Sequence, residues 1–534
     1  MSERQLWYVT KVILVWGCVP FVVYGQQKPK AAAPRGLSSG LPALATWTGN
    51  GDDGGWANGN NWQWTNDDNE CTPNGFAIPP GTASAGDPTS PCYFADVNIP
   101  PNSGTISTQN VSWSSYIDNF TLNIFNTLNG GVRASGNALI AGGATVNGGV
   151  GAGQGTATYM QLAGTLTNQG TISLGSGGGA SGCTIVNTGV IKGSGSIFTP
   201  YNTTECGASA DATTGTNAGT IEATSATLQL AGIWDNTKGT IKIDGNAELL
   251  AGGTITGGAI IDNGGMIGGG VVLAGQVSST SLTVDGNGAV AEVSIDGTLT
   301  NSGALTIGLT AGPVSTVQVN DGGTLTTGNT ILGVTARSTG QLLIEAGGTC
   351  TPAGTLTIGD NGSGVLSVSG SLQAQAIILG NMAGGSGQMN IMPNGTVTYT
   401  GHLSAGGTLV SAGGIVSNEG TATITIDGGG ALTGKGAGTP PDVIAGTANV
   451  TVNGAWTNVN GILTAGTVTV SAGGALNVNC PACYIPSSGL SAFSLVAGTV
   501  FVFGNVDGSG TLTTTGGLLV SGQSTKLTVT GGGS

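Results

Sequence analysis

The sequence predicts an all-β chain, a parallel β-solenoid in which short strands stack coil upon coil. Three observations carry this: a repeat between Gly303 and Gly401, two-residue alternation within short apolar runs, and a composition too poor in charge for an ordinary globular domain.

The repeat is seen by cutting after the glycine that closes each Thr-Ile-Gly or Ile-Leu-Gly. The cuts fall at Gly308, Gly333, Gly359 and Gly380, with spacings of 25, 26 and 21 residues. After each cut comes a Gly/Ser/Asn-rich loop, then a first alternating run: Val317-Gln-Val319, Leu342-Leu-Ile344, Leu366-Ser-Val368, Met389-Asn-Ile391. A turn leads to a second run, at Thr324-Leu325, Thr349-Cys350, Ser371-Leu372 and Thr396-Val397. Alternation with a period of two, broken by glycine-rich turns, marks short half-buried strands rather than helices. A unit this small cannot bury its apolar side alone, so neighbours must stack and share one core.

Of 534 residues, 101 are Gly and only 7 % are charged, against about 25 % in a typical domain. Glycine without a three-residue period excludes collagen, and the β-branched alternation argues against disorder. The net charge of −14 repels a polyanion, so nucleic acid is excluded as a partner. Many of the acids stand in Asp-Gly turn dipeptides: Asp53, Asp244, Asp285, Asp296, Asp321, Asp427 and Asp507. Bending the backbone is their expected role.

Taken in order, residues 1–25 read as a secretory signal, with Arg4 and Lys11 ahead of the apolar run Val12 to Tyr24. That run is short for a membrane span, and no span is expected in the mature chain. Residues 26–44 read as a flexible leader. Residues 45–101 hold Trp47, Trp56, Trp62 and Trp64 and read as a cap module, because a solenoid's first coil otherwise exposes a strand edge and the end of its core. The same four indoles are the candidate binding residues, as a platform stacking on sugar rings. Residues 102–534 read as the solenoid. Its earlier part repeats the phrase Thr-Asn-x-Gly-Thr-Ile, as at Leu166-Thr-Asn-Gln-Gly-Thr-Ile172 and Thr216-Asn-Ala-Gly-Thr-Ile221. Asn and Gly there are expected to occupy left-handed backbone conformations in tight corners.

The Trp-rich opening, this phrase, and the run Leu356-Thr-Ile-Gly-Asp-Asn-Gly-Ser-Gly-Val-Leu-Ser-Val368 together resemble the passenger regions of bacterial autotransporter-like and adhesin-like surface proteins. The resemblance implies a right-handed β-helix, export to the cell surface or beyond, and non-catalytic binding to glycans or other cell surfaces. The chain departs from the complete pattern, since no membrane β-barrel is recognisable before its end at Ser534.

The cysteines fit an oxidising compartment. Cys71 with Cys92 and Cys183 with Cys206 bracket irregular insertions, and Cys480 with Cys483 lies in another; three loop-closing disulfides are expected. Cys350 takes the slot of Leu325 and Leu372 in the repeat and is expected as a buried, inert thiol.

No catalytic residue is assigned. The single His402 follows a strand end, and no nucleophile elbow, phosphate loop or HExxH motif is present. A β-helical polysaccharide lyase or hydrolase is the enzymatic alternative, and it needs converging carboxylates. Glu222, Asp244, Asp262 and Asp285 lie about one coil apart and could form an acidic ladder able to take Ca²⁺, the one cofactor considered; no other metal or cofactor is expected. A third alternative uses Thr-x-Thr, which begins at Thr165, Thr298, Thr324, Thr355, Thr396, Thr421, Thr467, Thr511 and Thr528 and could order water as ice-binding proteins do. Irregular coil lengths are expected to scatter that array.

Overall fold

A computed structural model describes residues 44–530 apart from several stretches, the longest being 66–95, 108–119, 152–164, 200–213 and 435–441; it is continuous over 214–409. The signal segment and the leader up to residue 43 therefore lie outside the described residues, while Leu44, the last leader residue, opens the first strand; Trp56, Cys71, Cys92, Cys183, Cys206 and Cys480 also lie outside, and of Cys483 only the backbone is described.

The described chain is almost wholly strand. Most strands from Leu44 to Val478 join one continuous, mostly parallel, unclosed sheet that winds as a β-solenoid. A coil has three strands. Ser315–Val319, Thr324–Thr327 and Thr330–Leu332 make one, and Thr339–Ile344, Thr349–Pro352 and Thr355–Ile358 make the next. Each strand pairs in parallel with its counterpart one coil later, so Val317 lies under Leu342, then Leu366, then Met389. The runs aligned by the repeat in sequence are the ones that pair in space.

The glycines at the repeat boundaries end the third strand of each coil with left-handed backbone: Gly308, Gly333, Gly359 and Gly380 have φ of +74°, +66°, +72° and +62°. Only glycine takes that angle without steric cost. A side chain there would also strike the coil above; a Cβ on Gly333 would lie 2.3 Å from the Ser363 carbonyl oxygen.

Inside, apolar side chains stack in columns. One runs unbroken from Ala45 through Val97, Phe120, Ala138, Leu166 and Ile185 to Gly215 and Trp234. It continues through Ile255, Leu273, Ile295, Val319, Ile344, Val368, Ile391 and Ile426 to Val452, and the backbone pairing extends one coil further to Val470. At about 4.8 Å per coil the column is about 80 Å long. Volumes compensate along it: a Cβ on Gly215 would lie 2.4 Å from the Trp234 ring, so the indole fills the space that glycine leaves.

The Asn-Gly phrase meets expectation at Ile261–Ile267, where Gly264 has φ of +97°, and departs from it in four earlier copies. Asn168, Asn187, Asn217 and Asn236 are buried, and neither they nor Gly170, Gly189, Gly219 and Gly239 take positive φ. The asparagines point inward as a ladder: Nδ2 of each of the first three donates to Oδ1 of the next at 2.7 Å, and Asn236 Nδ2 donates to the Gly257 carbonyl at 3.2 Å. The glycines serve close approach, since a Cβ on Gly189 or Gly219 would stand 2.0 or 2.1 Å from a carbonyl of the preceding coil.

Two antiparallel pairings lie beside the parallel stack. Leu44–Trp47 pairs antiparallel with Trp62–Thr65 and parallel with Asp96–Ile99. Gly407–Leu409 and Ile415–Ser417 form a hairpin outside the main sheet, after which the coil resumes in register. Beyond Val478 the described strands form two three-stranded parallel sheets.

Candidate functional site

The outward side of the solenoid carries one organised surface, on the second strand of each coil. Inward residues there are Leu299, Leu325, Cys350, Leu372, Val397 and Leu432, so their neighbours on both sides face out. One outward column reads Thr298, Thr324, Thr349, Ser371 and Thr396; the other reads Thr300, Thr326, Thr351, then Gln373, Thr398, Thr433 and Thr457. The Thr-x-Thr motifs do divide among the strands, with Thr355 on a third and Thr421 on a first, but those beginning at Thr298, Thr324 and Thr396 stack on the second. Length variation is confined to turns and to the 407–417 insertion, and the strands keep register across both. No charged residue stands in either column.

The other two sides lack this uniformity. Outward on the first strand stand Glu292, Thr316, Gln341, Val365 and Gln388 in one column. The third strand shows Thr306, Ile331 and Ile378, with Thr357 of the same column buried.

Three of the four candidate tryptophans are placed inside, and Trp56 lies outside the described residues. Trp47, Trp62 and Trp64 are 3 %, 4 % and 8 % exposed, and Trp47 meets Trp62 edge to face with centroids 5.1 Å apart. Stacking on a sugar requires an open ring face, and these three rings present little of theirs to solvent.

The four carboxylates of the acidic ladder do not share one column. Glu222 is in register between Lys192 and Lys242, with Lys242 Nζ at 4.0 Å. Asp244 accepts from Asn263 Nδ2 at 3.2 Å. Asp262 is buried and accepts from the amides of Gly264, Gly265 and Thr283 at 2.8–2.9 Å. Asp285 is buried too, and accepts from the amides of Asn287, Leu309 and Thr310 and from the Thr310 hydroxyl. These acids thus do more than bend the chain: Asp262 and Asp285 each tie one coil to the next. Among the described residues no group of three or more His, Cys, Asp or Glu side chains is placed to hold a metal ion.

Other titratable groups are also structural in setting. Asp442 is fully buried, accepting from the Tyr399 hydroxyl and from the Leu403 amide at 2.7 Å. Burial pushes the Glu248 carboxyl above its usual range; a hydrogen bond from Thr227 opposes this and the charge of Asp285 adds to it. Burial holds the half-buried His402 imidazole below its ordinary value. Cys350 is buried and unpaired, and desolvation pushes its thiol up to about 12. No helix among the described residues is long and apolar enough to cross a membrane.

No known family, curated protein or solved structure matches the chain.

Proposed function

We propose that the chain is an exported, non-catalytic rod, secreted or held at a cell surface, that serves as an adhesin or structural stalk. On this reading the rod is a right-handed β-helix, and the Trp-rich strands around Leu44–Trp47 and Trp62–Thr65 cover its amino-terminal end. The observation that carries it is the unbroken parallel column from Ala45 to Val470. Such a column turns chain length into reach, whereas an enzyme cleft needs groups converging on one point. The buried carboxylates support the same reading, because their oxygens are engaged by backbone amides of neighbouring coils.

The test is expression of the full chain in a bacterial host, followed by fractionation, amino-terminal sequencing, and incubation with a polysaccharide panel and a glycan array. Cleavage before Gln26, recovery outside the inner membrane and glycan or cell binding without new reducing ends or unsaturated products are expected. Polysaccharide turnover, or an uncleaved cytoplasmic product, overturns the proposal.

A further inference from the structure

The hydroxyl columns on the second strands carry an inference of their own. Threonine is a favoured outward residue on any strand, so a merely structural preference would place it on all three sides alike. Between 291 and 399 it does not: the first strand mixes Glu292, Gln341 and Val365, and the third strand mixes Thr306 with Ile331 and Ile378, while the second strand keeps Thr, Ser or Gln at both outward positions over five consecutive coils. Beyond them the first strand takes Thr423, Thr425 and Thr451 and the second strand Ala431 and Ala455, so the uniform face is confined to those five coils. This side is also free of charge in a chain whose net charge is −14. A ligand suited to this side is neutral, and extended enough to meet many weak identical contacts at once.

The spacing narrows the class. Parallel pairing sets equivalent hydroxyls about 4.7–4.9 Å apart along each column. Water linked tetrahedrally through O–H···O bonds of about 2.75 Å places its second-neighbour oxygens about 4.5 Å apart. A column of threonine hydroxyls thus repeats at nearly the interval of oxygens in ice, and each adjacent methyl adds apolar surface over which water is already orientationally restricted. Charged side chains, which organise their own hydration shells, are absent from the columns.

We propose that the side formed by Thr298–Asn301, Thr324–Thr327, Thr349–Pro352, Ser371–Ala374 and Thr396–Tyr399 is an ice-binding face. The proposal requires neither export nor adhesion, so it stands or falls separately from the reading above.

The experiment is partition of the purified full-length chain into slowly grown ice, with thermal hysteresis recorded on the same samples. The parent chain is expected to be enriched in the ice and to depress the freezing point below the melting point. Thr326→Lys together with Thr351→Lys, which sets two long cations in the middle of the face, should abolish both effects while circular dichroism and melting stay as in the parent. Gln388→Lys, the same charge change on the exposed first strand, should leave both effects intact. Should the double variant fail to fold, Thr326→Val, which keeps the volume and removes one hydroxyl, should weaken partition. Exclusion of the parent chain from ice overturns the proposal. So does equal loss in Gln388→Lys, or binding to crystalline cellulose or chitin without partition into ice.

Discussion

The asparagine ladder makes the position of a substitution matter more than its chemistry. Asn217 sits inside it: Oδ1 accepts from Asn187, and Nδ2 donates to Asn236 at 2.7 Å and to the Thr240 carbonyl at 3.3 Å. Asn217→Leu conserves volume but takes a partner from each neighbour, the Asn187 donor and the Asn236 acceptor. Each buried polar group so stranded costs about 1–3 kcal/mol. Asn187 Nδ2 keeps the Thr220 carbonyl at 3.1 Å, which places the expected loss toward the lower middle, about 2–4 kcal/mol. Asn168 is the ladder's end, and its Oδ1 is already buried with no donor among the described residues. Asn168→Leu removes that orphan as it creates one at Asn187 Oδ1, so its cost should be smaller by about 1–3 kcal/mol. Urea unfolding gives the comparison, and hydrogen exchange at the amides of Gly189, Gly219 and Thr240 localises it, because solenoid coils open locally. Equal destabilisation by the two variants would refute the ladder, and so would an Asn217→Leu chain as stable as the parent.

Other consequences follow from the same packing. Trp234→Ala should cost about 3–5 kcal/mol as a core cavity, and Gly215→Val should also destabilise because its side chain would enter the Trp234 ring; thermal melting of the two single variants checks both. Leu325→Asp buries an unpaired carboxylate in a column that is fully enclosed and should unfold its coils at neutral pH, read by hydrogen exchange. The raised carboxyl of Glu248 means that the native state binds the proton more tightly than the unfolded chain, so its contribution falls as pH rises through and above the ordinary glutamate range. The lowered imidazole of His402 has the opposite sign: its contribution is intact above the ordinary histidine range and is lost on acidification. Melting temperature against pH should flatten in the first window for Glu248→Gln and in the second for His402→Gln. Cys350, with its thiol near 12 and no exposure, should resist iodoacetamide at pH 8 until urea opens the coil, as mass spectrometry would report.

Much of the fold was legible because the side-chain period of a strand is rigidly two. The alignment of Leu325, Cys350, Leu372 and Val397 in sequence is the buried column in space, and the glycines at Gly308, Gly333, Gly359 and Gly380 end the third strands. The asparagines were misread because Asn beside Gly usually signals a turn. The corrective signal lay in parity: Asn168, Asn187 and Asn236 each stand two residues after a buried apolar residue, Leu166, Ile185 and Trp234, and so share its inward side. The threonine columns were legible as residues but not as a surface. Spacing in sequence mixes strand with turn, and only pairing shows that a long insertion such as 407–417 leaves Thr398 opposite Thr433. The role of Asp285 was hidden for a different reason. A carboxylate in a turn dipeptide reads the same whether it faces water or the amides of the next coil.

The central claim is that successive coils stack in parallel, each adding the same rise. Spin labels paired between Thr300 and Thr398, and between Thr300 and Thr457, probe it by pulsed electron resonance, because these residues share one outward column, four and six coil steps apart. Stacking predicts separations near 19 Å and 29 Å, in proportion to the number of steps at about 4.8 Å each. Distances that do not grow with coil number, or a second separation no longer than the first, would contradict it.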